Sequence, residues 1–428
     1  MTSAALATEL REARERMLIL VRDLGGAREF GPRLAIVNPP RWEVGHVGWF
    51  QEYWCLRRLD EDRFSAARGE SIVPEADRLY NSATVPHATR WTLPLPEFDA
   101  TLRYCEEVRR RTEDRLAARC SSDDAYFARL AVRHEDMHAE AFHYTRQTLG
   151  YEAPALEVPE HPIGDLRAGD AEIAGGPLEL GEAPSAVFAF DNEKWAHPVR
   201  VRPFRLSRVA VSNAEFAAFV QADGYRRREL WCESGWRWLA SADRRQPLYW
   251  NRRHGAWQLR RFDRWIDLPP DEPVTHVNWF EARAYCRYAT RRLPTEAEWE
   301  FAASWDPIAG RRRRHPWGDE PWTPRRANLQ HACPASVHAY PEGDSAMGVR
   351  QLIGNVWEWT ASPFGPYPGF SPDPYREYSE PWFGTHKVLR GGAFATSPRI
   401  AYSTYRNFFL PDRADVFAGF RTCALDSA

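Results

Sequence analysis

The feature that most restricts what this chain can fold into is a change of rhythm near residue 150. From residue 4 to residue 150, apolar side chains recur every three or four positions, the spacing of helices that bury one face. Across 151–190, Pro154, Pro159, Pro162, Gly164, Gly175, Gly176 and Pro177 interrupt that rhythm, because proline removes a backbone donor and glycine leaves the backbone loose. Two folding units of different class are therefore predicted: a helical domain over 1–150, a linker over 151–197, and a second domain over 198–428. A chain of 428 residues is long enough to bury a core in each.

The helical part divides into four segments, 4–24, 42–60, 97–119 and 124–149, the number needed for a four-helix bundle. Leu6, Leu10, Met17, Leu18 and Val21 mark the first. The second starts after Asn38-Pro39-Pro40, a helix-start signal, and carries Val44, Val47, Trp49, Phe50, Tyr53 and Trp54. The third follows Leu93-Pro94-Leu95-Pro96. The stretch 61–96 between them is too long for a plain connector and is expected to wall a site.

The fourth segment carries the clearest chemistry. His134 and His138 lie one turn apart on one helix face, the spacing of a two-imidazole metal chelate. Glu135, Asp136 and Glu140 are close enough in sequence to orient imidazole N–H groups. Bundles build metal sites from side chains on facing helices, which makes His46 of the second segment the natural third ligand. Three histidines leave coordination positions open for substrate or O2.

The second half differs in composition. Most of the 19 tryptophans lie beyond residue 190 and the chain holds 33 prolines, so a loop-rich domain packed by aromatic rings is expected. Strands are predicted at Val199–Val201 and Phe204–Val211, and helices at 213–221, 279–289 and 295–304. Ser212 or Asn213 caps the first helix, and Thr295 with Glu298 makes a capping box for the third. Gly354-Asn355, Gly391-Gly392 and Gly419 mark tight turns with little regular sheet between them.

A net charge of −2 gives no bulk electrostatic case for nucleic acid or an anionic membrane. The longest basic run, Arg311 to Arg314, reads as a solvated loop. Seven scattered cysteines without CxxC read as free thiols in a reducing compartment. The N-terminus reads as an amphipathic helix rather than a signal peptide, and no apolar run approaches the roughly 18 residues that span a bilayer. A cytoplasmic location follows.

The second half resembles the formylglycine-generating-enzyme, or sulfatase-modifying-factor, family. The resemblance is carried in order by Val211-Ser212-Asn213, Val277-Asn278-Trp279, Arg292-Leu293-Pro294-Thr295-Glu296-Ala297-Glu298-Trp299-Glu300, Pro316-Trp317-Gly318, Gly354-Asn355-Val356-Trp357-Glu358-Trp359, Val388-Leu389-Arg390-Gly391-Gly392 and Gly419-Phe420-Arg421. It implies a C-type-lectin-like α+β fold and says less about the reaction. Formylglycine formation uses paired cysteines near the C-terminus, where this chain has only Cys423.

The first half resembles a DinB-like bundle, and a DinB-like bundle followed by a formylglycine-enzyme-like domain is the architecture of the ergothioneine-type sulfoxide synthases. That resemblance implies non-haem Fe(II) held by His46, His134 and His138, with Glu140 completing the HxxxHxE pattern. It also implies O2-dependent bond formation between a chalcogen donor and imidazole C2 of hercynine, the trimethylated betaine of histidine. Tyr375-Arg376-Glu377-Tyr378-Ser379 is similar to the segment whose first tyrosine is the family's proton donor beside the iron. On that match Tyr375 is catalytic and Tyr378 lines the hercynine pocket. Arg406-Asn407-Phe408 resembles the segment whose Asn and aromatic ring face the betaine.

The departures concern the donor. Met137 stands where these synthases usually carry Gln, Phe409 stands where γ-glutamylcysteine users carry Asp, and no donor-binding Arg matches securely over 81–87. Arg413 remains as a carboxylate partner. Leu79-Tyr80-Asn81-Ser82 and Arg90-Trp91-Thr92-Leu93-Pro94-Leu95-Pro96 resemble the selenoneine synthase branch, which joins a selenosugar to hercynine, with Asn81, Ser82, Thr84 or His87 available to sugar hydroxyls. The expectation is C–Se bond formation on hercynine. The alternatives are ergothioneine-type synthesis from cysteine or γ-glutamylcysteine, and a carbohydrate- or protein-binding module without activity.

Overall fold

In the computed structural model the described residues are 2–58, 69–156 and 160–425. The end of the second predicted helix (59–60), the start of the predicted wall (61–68), Pro159 and 426–428 lie outside them. The chain forms two compact units, Met1–Leu156 and Glu157–Ala428.

The first unit is built on α1 (Ser3–Val21), α2 (Pro40–Cys55), α4 (Phe98–Ala118) and α5 (Ser122–Leu149), with a short α3 (Ala76–Tyr80) in the long connection. All four predicted helices form, though α1 stops at Val21 and α2 at Cys55, short of the expected 24 and 60. Pro40 occupies the first turn of α2, where its missing N–H has no partner to lose. Ser121 and Asp124 form a capping box on α5, and Gly150, at φ +67°, ends it in the left-handed conformation that glycine accepts readily. Met17, Leu20, Val44, Val47, Tyr104, Val108, Ala139 and Phe142 meet in the core, each large apolar side chain contributing roughly 1.5–3 kcal/mol.

One polar group ties the four long helices together. Arg14 of α1, 1% exposed, donates to Glu135 of α5 at 2.7 and 3.1 Å, to Gln51 of α2 at 2.8 Å, and to the Cys105 carbonyl of α4. α2 also carries two interior glycines for steric reasons. A Cβ on Gly45 would sit 2.2 Å from the Tyr80 ring, and one on Gly48 would sit 2.8 Å from Cys105 Sγ. Helix propensity is given up, at about 1 kcal/mol per glycine, for close packing.

Among the described residues the second unit has five small sheets. The strands are β1 (Asp170–Ile173), β2 (Gly176–Leu180), β3 (His197–Val201), β4 (Phe204–Ser207), β5 (Trp250–Arg253), β6 (Ala256–Arg261), β7 (Arg264–Asp267), β8 (Arg291–Arg292), β9 (Trp305–Asp306), β10 (Arg311–Arg312), β11 (Trp357–Pro363), β12 (Lys387–Arg390), β13 (Asn407–Phe409), β14 (Ala418–Gly419) and β15 (Cys423–Ala424). The two four-stranded sheets run β1-β4-β15-β8 and β13-β12-β11-β14. Strands therefore begin inside the stretch expected to be linker. The predicted strand at 204–211 stops at Ser207, and Ser212 rather than Asn213 caps α6 (Asn213–Gln221). α7 (Glu233–Ala242) was not expected, whereas α8 (Trp279–Tyr288) and α9 (Glu296–Ser304) fall where predicted.

Buried arginines hold this irregular backbone. Arg421 makes two hydrogen bonds of 2.7 Å to Glu358. Arg390 reaches Glu296 at 2.9 Å and Glu300 at 2.5 Å and also holds the Ser403 carbonyl, and Arg406 reaches Glu296 at 2.7 and 3.1 Å and the Asn192 carbonyl at 2.6 Å. The family motifs are thus each other's partners: Gly-Phe-Arg with Trp-Glu-Trp, Leu-Arg-Gly-Gly with the acidic residues of α9. Their role in these contacts is to build the fold, which is why they mark it so specifically.

The run Arg311–Arg314 is not a free solvated patch. Arg311 pairs with Asp319 at 2.7 Å, Arg312 with Glu300 at 3.2 Å and Arg313 with Asp306 at 2.5 Å, while Arg314 lies over Tyr402. All seven cysteines are free. Among the described residues no helix is long and apolar enough to cross a membrane.

Candidate functional site

His46 on α2 and His134 and His138 on α5 form a cluster whose ligand atoms all lie within 4.8 Å of one another. Their ring centroids are 4.5–5.1 Å apart. His46 and His134 are buried, and burial followed by the neighbouring imidazoles lowers both pKa values well below the usual histidine range. They are neutral at pH 7, as ligands must be.

The orientation of two rings is set by their other nitrogen. His46 Nδ1 is 2.8 Å from the Tyr80 carbonyl, an acceptor only, so Nδ1 carries the proton and Nε2 keeps its lone pair. His138 Nδ1 is 2.6 Å from Glu43 Oε1, a carboxylate–histidine pair of the kind that raises ligand basicity. Glu135, expected in this role from sequence, instead uses both oxygens on Arg14. Glu43 was missed, although the signal was there: it precedes His46 by three residues on the same apolar helix.

Aromatic rings fix the rest. Phe50, one turn beyond His46, stacks on His134 at 3.6 Å and 6°, and Trp42 stacks on His46 at 5.1 Å and 7°. Trp42 donates to the Leu79 carbonyl at 2.7 Å, and the Arg90 guanidinium lies 3.8 Å from its ring centroid. Arg41 binds the Leu95 and Pro96 carbonyls at 2.8 and 2.6 Å. Residues from the Leu-Tyr-x-Ser and Arg-Trp-x-Leu-Pro-Leu-Pro stretches therefore support the histidine cluster. Of the side chains expected to meet a sugar, His87 is held on the Val37 carbonyl at 2.8 Å and Asn81 accepts from Ala83 N–H at 3.0 Å. Ser82 and Thr84 are exposed, and Met137 is half-buried beside His138 in sequence.

In the second unit, Tyr375, Tyr378 and Phe408 come together. Tyr378 lies 5.9 Å from Tyr375 and 5.8 Å from Phe408, ring to ring, and its hydroxyl is 3.2 Å from that of Tyr405. Phe190 stacks on Tyr378 at 4.4 Å, and Phe364 stacks on Phe408 at 4.0 Å. Burial raises the pKa values of Tyr375 and Tyr378, so both phenols keep their protons at neutral pH. The segment is held from behind by Asp191, which accepts from Ser379 Oγ, and by Asn192, whose amide donates to the same oxygen at 3.0 Å.

β13 pairs with β12 in the register Val388↔Phe408 and Lys387↔Phe409, so strand alternation sends Phe408 to one face and Asn407 and Phe409 to the other. Asn407 Oδ1 accepts the Phe408 N–H at 2.8 Å. Arg413, expected as a partner for a donor carboxylate, is bound at 2.6 and 2.7 Å to Asp415 and lies over Phe409 at 5.1 Å.

Comparison with known proteins accounts for both units. Residues 9–142 match the DinB superfamily, and residues 166–425 match the sulfatase-modifying factor enzyme 1-like domain. The hercynine oxygenase of Mycolicibacterium thermoresistibile is 40% identical over 98% of this chain and 94% of its own length. Those of Mycolicibacterium smegmatis and Mycobacterium tuberculosis are also 40% identical, with 97% of each chain covered. This chain belongs to the hercynine oxygenase family. A formylglycine-generating enzyme from Streptomyces coelicolor is 34% identical over 64% of the chain, the extent expected if only the second unit is shared. Hercynine oxygenases thus combine the helical bundle and the arginine-braced α+β domain described above.

Proposed function

We propose that this protein is an O2-dependent, iron-containing oxidoreductase that joins a chalcogen donor to imidazole C2 of hercynine, and that its donor is a selenosugar. The observation that carries the reading is the three-imidazole cluster with Nε2 of His46 and His138 left for coordination. The three imidazoles would together hold one ion. When bound, Fe(II) supplies O2 activation. Three neutral imidazoles also accept other divalent metals, so the metal itself is part of the proposal.

The chain's own residues then divide the work. His46, His134 and His138 hold the metal, with Glu43 and the Tyr80 carbonyl fixing two rings. Tyr378 and Phe408 offer aromatic faces to the trimethylammonium group, at about 1–2 kcal/mol each when water is excluded. Asn407, with its carbonyl oxygen engaged by Phe408 N–H, keeps its amide N–H groups for the substrate. Tyr375 holds the proton to be donated. The C2–H and Se–H bonds give way to C2–Se, and the two electrons and two protons released pass to O2, which leaves as H2O2, or as one water when its other oxygen atom ends on selenium.

The donor assignment rests on what the site lacks for a zwitterion. A buried carboxylate and ammonium must each be paired, since an unpaired charge costs several kcal/mol. Phe409 and Met137 pair with neither, and Arg413 is already bound to Asp415. Against this, the Leu-Tyr-x-Ser and Leu-Pro-Leu-Pro stretches brace the histidines, which leaves less of the selenoneine-type pattern free to select a sugar. The second reading, synthesis from cysteine or γ-glutamylcysteine, is kept for that reason.

Mass spectrometry of aerobic, Fe(II)-loaded mixtures of hercynine with selenosugar, thiosugar, cysteine and γ-glutamylcysteine tests the choice. The expected kcat/KM favours selenosugar over γ-glutamylcysteine by at least about tenfold, or about 1.4 kcal/mol. A preference for either amino-acid donor would replace the selenoneine assignment with the ergothioneine one. No product with any donor, together with no stoichiometric Fe(II) binding, would point to a binding module.

A further inference from the structure

We propose that the second unit carries a separate anion site, on α8, β8 and β12, that takes a small phosphate ester. A recess of about 690 Å³ is lined there by Trp279, Arg283, Arg287, Arg291, Arg292 and Lys387, with Glu298 as its one carboxylate. That volume is in the range of small-molecule sites.

The charges in the recess do not balance. Arg292 makes two hydrogen bonds to Glu298, at 2.7 and 2.8 Å, and Arg291 makes two to Asp170, at 2.6 and 3.1 Å. Among the described residues, Arg283, Arg287 and Lys387 have no ion pair. Arg283 and Arg287 are one turn apart on α8 and so share a face. Arg283 lies 5.2 Å and Lys387 Nζ 4.4 Å from the Trp279 ring centroid. That ring is fixed, because Trp279 is 8% exposed and donates to the Thr360 carbonyl at 2.9 Å. Burial and the nearby Arg283 lower the Lys387 pKa, the expected result of like charges gathered without a counter-ion.

The contrast with Arg311–Arg314 is informative. That run stands out in the sequence, yet three of its four arginines have carboxylate partners. Arg283 and Arg287 lie one turn apart on α8, and Lys387, a hundred residues further on, joins them only in the fold. Two guanidinium forks and an ammonium suit a dianionic phosphate, whereas a single carboxylate would leave most of the charge uncompensated. Trp279, Leu293, Ala361 and Leu425 supply apolar surface for the organic part of the ester. The cations converge in a recess rather than along a stripe, which favours a small molecule over a polyanion. None of this depends on the donor or the metal assigned above.

The test is calorimetric titration of the full chain, at low ionic strength, with phenyl phosphate, inorganic phosphate and a short DNA duplex. Saturable one-to-one binding of phenyl phosphate is expected, weakened at least about tenfold in R283S/R287S and, independently, in K387M, with far-UV circular dichroism and the phosphate-free melting curve unchanged. Absence of saturable heat with the wild-type protein would overturn the proposal, as would equal affinity in correctly folded variants. Tighter binding of the duplex than of phenyl phosphate would replace the small-molecule ligand with nucleic acid.

Discussion

The histidine cluster of the first unit and the tyrosine segment of the second are both built from buried aromatic and polar side chains, but they are held in place by different means. In the bundle, helix backbone satisfies itself, and two side chains and one backbone carbonyl aim the histidines: Glu43 on His138, Phe50 on His134 and Tyr80 O on His46. In the second unit the Tyr375–Ser379 segment has no long helix or strand to rest on. Its position depends on Asp191, Asn192 and Phe190, and these depend in turn on arginines such as Arg406, which holds the Asn192 carbonyl. A three-histidine cluster is thus carried by regular secondary structure, and a segment proposed to meet substrate by a side-chain network.

The sharpest way to break that comparison is to remove a ligand. His46→Ala, His134→Ala and His138→Ala are each expected to abolish stoichiometric Fe(II) binding in anaerobic titration. Turnover should fall by about a thousandfold or more, equivalent to some 4 kcal/mol, with the second unit still folded. Retained binding in His46→Ala would remove it from the ligand set.

Next in size is the arginine network. Arg390→Met leaves Glu296 and Glu300 with a buried carboxylate charge less well compensated, and breaking such a pair costs about 3–5 kcal/mol. Denaturant unfolding followed by tryptophan fluorescence should show that loss in the second unit. Far-UV dichroism should show the helices unaffected. Stability equal to wild type would mean that the side-chain network does not carry the irregular backbone.

Smaller effects separate aiming from bracing within the bundle. Glu43→Gln should weaken metal affinity by about 10- to 100-fold with little loss of stability. Glu135→Gln, next to His134 in sequence, should do the reverse, because its carboxylate serves Arg14. The opposite result would restore Glu135 as the orienting group. Phe408→Ala is expected to raise the hercynine KM by about 5- to 30-fold with metal content unchanged, and an unaltered KM would take Phe408 out of the betaine pocket.

What could be read from the sequence follows the same division. His46, His134 and His138 were legible because helical spacing converts sequence distance into geometry, and the bundle's four long helices were legible from the same periodicity. Glu43 was legible in principle by that rule. Tyr80 was not, because a backbone carbonyl contributed by a short helix in a long connection leaves no mark on spacing. In the second unit, the motifs identified the fold but not the reason for it. That Arg421 meets Glu358, or Arg390 meets Glu296 and Glu300, requires the folded chain. The α7 helix went unseen because its N-cap is Cys232 rather than one of the usual Ser, Thr, Asp or Asn, and a glycine, Gly235, sits in its first turn. The unpaired cations of the phosphate-ester recess are spread over more than a hundred residues, whereas the contiguous arginines that drew notice are mostly neutralised.

A final predicted effect is a pH dependence that arises in the network behind the tyrosine segment. Glu193 is fully buried; its Oε1 accepts from Phe190 N–H and from the Tyr402 hydroxyl, both at 3.1 Å, and the Thr404 hydroxyl lies between it and Glu182. Burial, reinforced by Glu182, pushes its pKa up to about 8 from an ordinary 4.5. Between those values the folded protein holds a proton that the unfolded chain has lost, so the Glu193 contribution falls as pH rises through that window and is constant outside it. Glu193→Gln keeps an acceptor for Phe190 and Tyr402 and has no proton to lose. The variant's melting temperature should therefore match wild type near pH 4.5 and exceed it increasingly up to about pH 8. At about 1.4 kcal/mol per pH unit and about 2–4 °C per kcal/mol, that pKa displacement bounds the difference at roughly ten degrees. Other titrating groups, Asp191 among them, are common to both proteins and largely cancel in the difference. A melting-temperature difference that stays flat from pH 5 to pH 9 would show that Glu193 titrates as an ordinary carboxylate, and that the network is held by charge rather than by a retained proton.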